Sequence, residues 1–105
     1  MAENQKEAFL EVYNIQKGRC FITWKYIPLD KVTAHCFPHI LPKGMYKKYK
    51  FDTRNIVFVD CSNPFDVGLH KKIDSVVNGR KWEINRILEE WDNPKEFLKD
   101  LLISI

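Results

Sequence analysis

What the chain lacks narrows its class before any motif is read. It has three cysteines, Cys20, Cys36 and Cys61, and no Cys-x-x-Cys pair, so neither a disulfide framework nor a four-thiolate zinc site can be assembled from them. Free cysteine behaves as a small hydrophobe, and all three are expected as buried reduced thiols. No apolar run approaches the roughly 18 residues that span a bilayer. The start, Met1-Ala2-Glu3-Asn4-Gln5-Lys6-Glu7, has neither the basic opening nor the apolar core of a signal peptide. These absences predict a cytoplasmic chain with no membrane segment. Internal repeats, low-complexity tracts and long linkers are missing as well, so the 105 residues read as one domain, 1–105.

Hydrophobic residues make up 45% of the chain and charged residues 30%, with five prolines and four glycines, the balance of a folded protein rather than a disordered tail. A net charge of +3 favours an anionic partner without establishing nucleic acid. Its distribution says more. Between Pro42 and Arg54, the cations Lys43, Lys47, Lys48, Lys50 and Arg54 face a single acid, Asp52, with Tyr46, Tyr49 and Phe51 interleaved. Lysines neutralise phosphates and release counterions, and tyrosines stack or bond to the backbone. These five cations are the candidate nucleic-acid contacts.

Apolar spacing predicts a helix over about 4–16, through Ala8, Phe9, Val12, Tyr13 and Ile15, with Gly18 as its stop. Residues 19–24 are β-branched and aromatic enough for a short strand or knuckle. Over 31–41 the residue types also favour a strand, but Pro38 lacks a donor and demands an edge or a bulge. Asn55-Ile56-Val57-Phe58-Val59 is the clearest strand. Asp66 can cap a helix running to about 78–79, and further helices are predicted over about 81–92 and 94–103, the last with Pro94 at its first position after Asp92 or Asn93.

Within the helix predicted from Asp66 to about 78–79, His70 and Asp74 stand at i and i+4, on one helix face, and offer one imidazole nitrogen and one carboxylate to a cation. Such a mixed set suits Mg²⁺, Mn²⁺, Zn²⁺ or Ni²⁺. Taken singly, each residue has a plainer explanation: a lone histidine on a helix is more often a packing residue than a ligand, and Asn55 suits a turn. His35, four residues before His39, can share its strand face and reach the same place, or simply pack. Order and combination carry the signal.

That order, Phe37-Pro38-His39-Ile40-Leu41-Pro42-Lys43-Gly44, then Asn55-Ile56-Val57, then His70 with Asp74, resembles the HNH endonucleases, in particular the phage and bacterial branch whose first motif reads aromatic-Ala-His-Ile-Leu-Pro-Lys-Gly. The match covers about 20–75, and the eight-residue first motif is its specific part. The resemblance implies an α+β fold: a small ββα-metal core over about 20–78, flanked by an N-terminal helix and two C-terminal helices. It implies hydrolysis or nicking of DNA phosphodiester bonds, with His39 as general base, Asn55 as brace between loop and strand, and His70 as a metal ligand. Asp74 is the plausible second ligand of a divalent ion. Many relatives carry a further ligand just before the base; Pro38 here cannot ligate. Each zinc knuckle of the stapled relatives is reduced to one cysteine, Cys20 and Cys61, so structural zinc is not expected. A different reading stays open: an inactive protein of the same fold, phage-encoded, that docks on a partner or binds DNA without cutting. The apolar C-terminal helices would then supply a protein interface or a homo-oligomer contact.

Overall fold

Asn4 opens the first helix: its side-chain Oδ1 accepts from the Glu7 amide at 2.9 Å, which satisfies one of the four donors that a helix start leaves unpaired. The computed structural model describes residues 4–60 and 68–103, with the backbone alone at 68–70. Helix α1 (Gln5–Ile15) buries Ala8, Val12 and Tyr13 and stops at Gly18, whose φ is +73°. The Gly18 amide bonds back to the Tyr13 carbonyl at 3.0 Å. A Cβ at Gly18 would lie 2.8 Å from both the Tyr13 hydroxyl and the Tyr26 ring, so sterics and backbone conformation both require glycine there.

Helices α2 (Gly68–Val77), α3 (Lys81–Glu89) and α4 (Pro94–Ile103) complete the regular structure. Asn93 caps α4 by accepting from the Lys95 amide at 3.0 Å, with Pro94 first in the helix as expected. The Asp66 cap expected for α2 lies outside the described residues. Between α1 and α2 the chain makes single 3₁₀ turns at Leu29–Lys31, Ala34–Cys36, Lys47–Tyr49 and Thr53–Asn55.

The expected α+β, ββα-metal core is not formed. The fold is mostly helical, 54% helix and 4% strand, with no sheet among the described residues. Segments 36–40 and 55–59 do run antiparallel, yet only one bridge, His39 with Ile56, results. The reason lies in three opposed pairs that should each exchange two bonds. Asn55 accepts from the Ile40 amide at 2.8 Å, but its own amide is taken by Asp52 in a 3₁₀ turn. Val57 donates to the Pro38 carbonyl at 3.2 Å, and Pro38 has no N–H to return. Val59 donates to Cys36 at 2.8 Å, while the Cys36 amide turns back to Thr33. Each pair keeps half its ladder, and the strands predicted over 31–41 and 55–59 dissolve into extended chain. Likewise, 19–24 is a turn closed by an isolated Arg19–Tyr26 bridge.

Burial nevertheless follows the predicted pattern. Ile40, Leu41, Ile56, Val57, Phe58 and Val59 form one core with Val12 of α1, Ile73 of α2, Ile84 and Leu88 of α3, and Leu98 of α4. At about 1.5–3 kcal/mol for each large apolar side chain removed from water, this burial holds the extended segments in place without a ladder. Phe97, Leu101 and Leu102 also pack against the core, leaving Ile103 exposed on α4. Cys20 is a buried free thiol whose Sγ accepts from the amides of Thr23 at 3.4 Å and Asp60 at 3.2 Å. Cys36 departs from expectation in being disulfide-bonded, its partner lying outside the described residues. Chain spacing alone gives no measure of which sulfurs the fold brings together. No helix among the described residues is long and apolar enough to cross a membrane.

Candidate active site

His39 sits midway along the extended 37–41 segment, and its ring is held by a polar and an aromatic contact. Its Nε2 lies 2.7 Å from the Lys50 carbonyl oxygen. A carbonyl only accepts, so Nε2 carries the hydrogen, and in the neutral ring the lone pair resides on Nδ1. Phe9 of α1 meets the imidazole edge-on at 6.2 Å between centroids and stacks on Phe37 at 4.4 Å. Backbone pairing to Ile56 sets the height of the residue.

Asn55 works from behind. It is the buried polar side chain of the core, fully inaccessible. Its Oδ1 accepts from the Leu41 amide at 2.7 Å, and its Nδ2 donates to the Leu41 carbonyl at 3.0 Å and the Tyr49 carbonyl at 3.4 Å. One amide thus ties the end of the His39 segment to the basic loop.

His39 and Asp74 line one open cleft of about 970 Å³, together with His35, Lys43, Lys71 and Lys81. His35 enters from the Ala34–Cys36 turn rather than from a strand. His70 lies one turn before Asp74 on α2, but its side chain is outside the described residues. Lys71, Asp74 and Ser75 stand at i, i+3 and i+4 on α2 and line the cleft, continued by Asn78 just past the helix end. Sequence reasoning missed Lys71 and Lys81. That spacing was readable, but the lysines attracted no notice because they lie outside the basic loop.

That loop divides. Lys43 reaches the cleft. Lys47 is exposed elsewhere; Lys48 pairs with Glu89 at 3.3 Å, and the Lys50 ammonium lies 4.9 Å above the Phe51 ring. Arg54 is engaged inside the fold. It holds Asp52 through Nε and Nη2, the shortest contact being 2.6 Å, donates to the carbonyls of Leu88 at 3.2 Å and Asp92 at 3.4 Å, and stacks on Trp91 at 4.9 Å. The bond to Asp52 raises its pKa further. Arg54 therefore caps the end of α3 instead of facing solvent.

For a divalent ion, no three His, Cys, Asp or Glu side chains cluster suitably among the described residues. The cleft contributes the Asp74 carboxylate, and one or two carboxylates completed by water is the ordinary requirement of a small hard cation. Compared with protein-family models, curated proteins and solved structures, the chain matches none.

Proposed function

We propose that the protein is a metal-dependent endonuclease of the cytoplasm that hydrolyses DNA phosphodiester bonds in this cleft, in the motif order of the HNH enzymes though not on their expected scaffold. The observation that carries the reading is His39, with Nε2 tied to the Lys50 carbonyl, sharing one cleft with Asp74 and three lysines. Water entering the cleft gives its proton to the His39 imidazole as its oxygen attacks phosphorus; the opposite P–O bond breaks, and the departing oxygen takes a proton from solvent. Lys43, Lys71 and Lys81 attract the phosphodiester and offset charge on its non-bridging oxygens. Asp74, with His70 one turn away, would hold a divalent ion, which supplies stabilisation of the charge developing on the phosphate and leaving oxygen.

Supercoiled plasmid incubated with Mg²⁺ or Mn²⁺ tests this. Relaxed or linear product is expected, and His39→Ala should lower the rate by about 10²–10⁴-fold with folding intact. Plasmid that stays supercoiled with both ions, or an undiminished His39→Ala rate, overturns the reading. Saturable DNA binding without cleavage would instead identify the non-catalytic binding module.

A further inference from the structure

We propose a second nucleic-acid contact, a stacking pocket for an unpaired nucleotide, built on Trp24 at the opposite end of α1 from the cleft. The pocket, about 470 Å³, is lined by Ile15, Phe21 and Trp24 with Lys17, Arg19 and Lys99 at its rim, and it contains no carboxylate. None of these cations forms an ion pair among the described residues. The charge they carry is therefore not neutralised within the fold, in contrast to that of Arg54.

Trp24 is the unusual member. Its φ is +64°, a conformation that bulky residues rarely adopt, and it is held there by its amide bonding to the Cys20 carbonyl at 2.9 Å and by Arg19 Nη1 donating to its own carbonyl at 3.1 Å. The outcome is an exposed tryptophan, with 61% of the residue open to solvent. The Lys99 ammonium lies 5.6 Å from its ring centroid.

A flat aromatic face rimmed by cations matches the two parts of a nucleotide, with the base stacked on the indole and the phosphate between ammonium groups. Base identity would not be read. Gln16, whose side chain lines the pocket, already spends Nε2 on the Arg19 and Phe58 carbonyls and Oε1 on the Phe58 amide. Along α1 the cleft takes Gln5 and Phe9, and the pocket takes Ile15 and the capping Gln16, so that Phe9 and Ile15 lie about 9 Å apart and Gln5 and Ile15 about 15 Å apart at 1.5 Å per residue. One strand can engage both. Preferring nucleic acid over another polyanion rests on the nuclease reading; the pocket itself does not depend on catalysis.

The test is anisotropy of a fluorescein-labelled ten-residue oligothymidylate, titrated without divalent metal against wild type, Trp24→Ala, Lys99→Glu and Trp82→Ala. Trp24→Ala should weaken binding about 5- to 100-fold, the range for loss of one base–aromatic stack. Lys99→Glu, an exposed change that leaves the turn intact, should weaken binding and flatten its salt dependence, while Trp82→Ala, at an exposed indole that lines neither the cleft nor the pocket, binds as wild type. Unchanged affinity in Trp24→Ala and Lys99→Glu, with melting curves like wild type, overturns the proposal. So does a ten-residue poly-glutamate that competes as well as unlabelled oligothymidylate, which would assign the pocket to an acidic protein segment. Trp24-dependent binding together with intact plasmid would defeat only the nuclease reading; plasmid nicking together with Trp24-independent binding would defeat only the pocket.

Discussion

The Asn55 side chain bonds both backbone groups of Leu41, taking its N–H at 2.7 Å and giving to its carbonyl at 3.0 Å. In a fold without a sheet, this pair does part of the work a ladder would do, since it fixes the end of the segment that carries His39.

Asn55→Ala is therefore expected to cost about 2–4 kcal/mol in urea unfolding, because it strands two buried backbone groups of Leu41 at about 1–3 kcal/mol each, partly relieved by relaxation. Asn55→Asp should be at least as damaging: a buried carboxylate can accept from Leu41 N–H but cannot donate to its carbonyl. An Asn55→Asp protein as stable as wild type at pH 7 would contradict the pairing.

Cations near the proposed substrate should separate by geometry. Lys71→Ala and Lys81→Ala are each expected to lower the slope of log affinity against log salt for duplex DNA by about 0.9, with little change in stability. Arg54→Ala should do the reverse: a normal slope and a lower melting temperature, because its contacts to Asp52, Leu88, Asp92 and Trp91 are internal. A reduced slope in Arg54→Ala without destabilisation would show that its guanidinium does face the phosphates.

This division explains what the sequence disclosed. The helices at both ends were legible, since Ala8 and Val12, or Ile84 and Leu88, repeat at helical spacing and bury accordingly. Pairing failed to become a sheet because three separate amides were unavailable, at Asn55, Pro38 and Cys36; Pro38 alone announced this in advance, whereas the 3₁₀ turns capturing the other two depend on local geometry. The basic loop looked uniform because charge counts do not reveal which cation an internal carboxylate claims. Asp52, two residues before Arg54, was the visible clue.

Gly18→Ala should lose at least about 1 kcal/mol, and more if Tyr13 must move. The new Cβ would meet the Tyr13 hydroxyl at 2.8 Å while the backbone holds φ at +73°. That hydroxyl donates to the Ile27 carbonyl at 2.8 Å, so displacing it breaks a buried bond. Gly79→Ala is the control: it also has positive φ, +83°, but open space around its Cβ. Equal losses at the two sites would show that steric contact with Tyr13 adds nothing.

Lys95 offers a pH-dependent test of packing. Burial lowers its pKa to about 8, with Asp52 pulling weakly the other way, and its place in the first turn of α4 adds to the cost of a positive charge. Between pH 8 and about 10.4, the unfolded-state lysine value, the unfolded chain binds the proton that the native chain has released, so stability from this group rises with pH across that window. Below pH 8 both states are protonated and the full penalty is felt. Lys95→Met should therefore raise stability by about 1–3 kcal/mol at pH 7, an upper range given partial exposure, and the advantage should shrink towards zero by pH 10 in urea unfolding. An advantage independent of pH would mean that methionine improves packing and that the lysine charge is not the penalty.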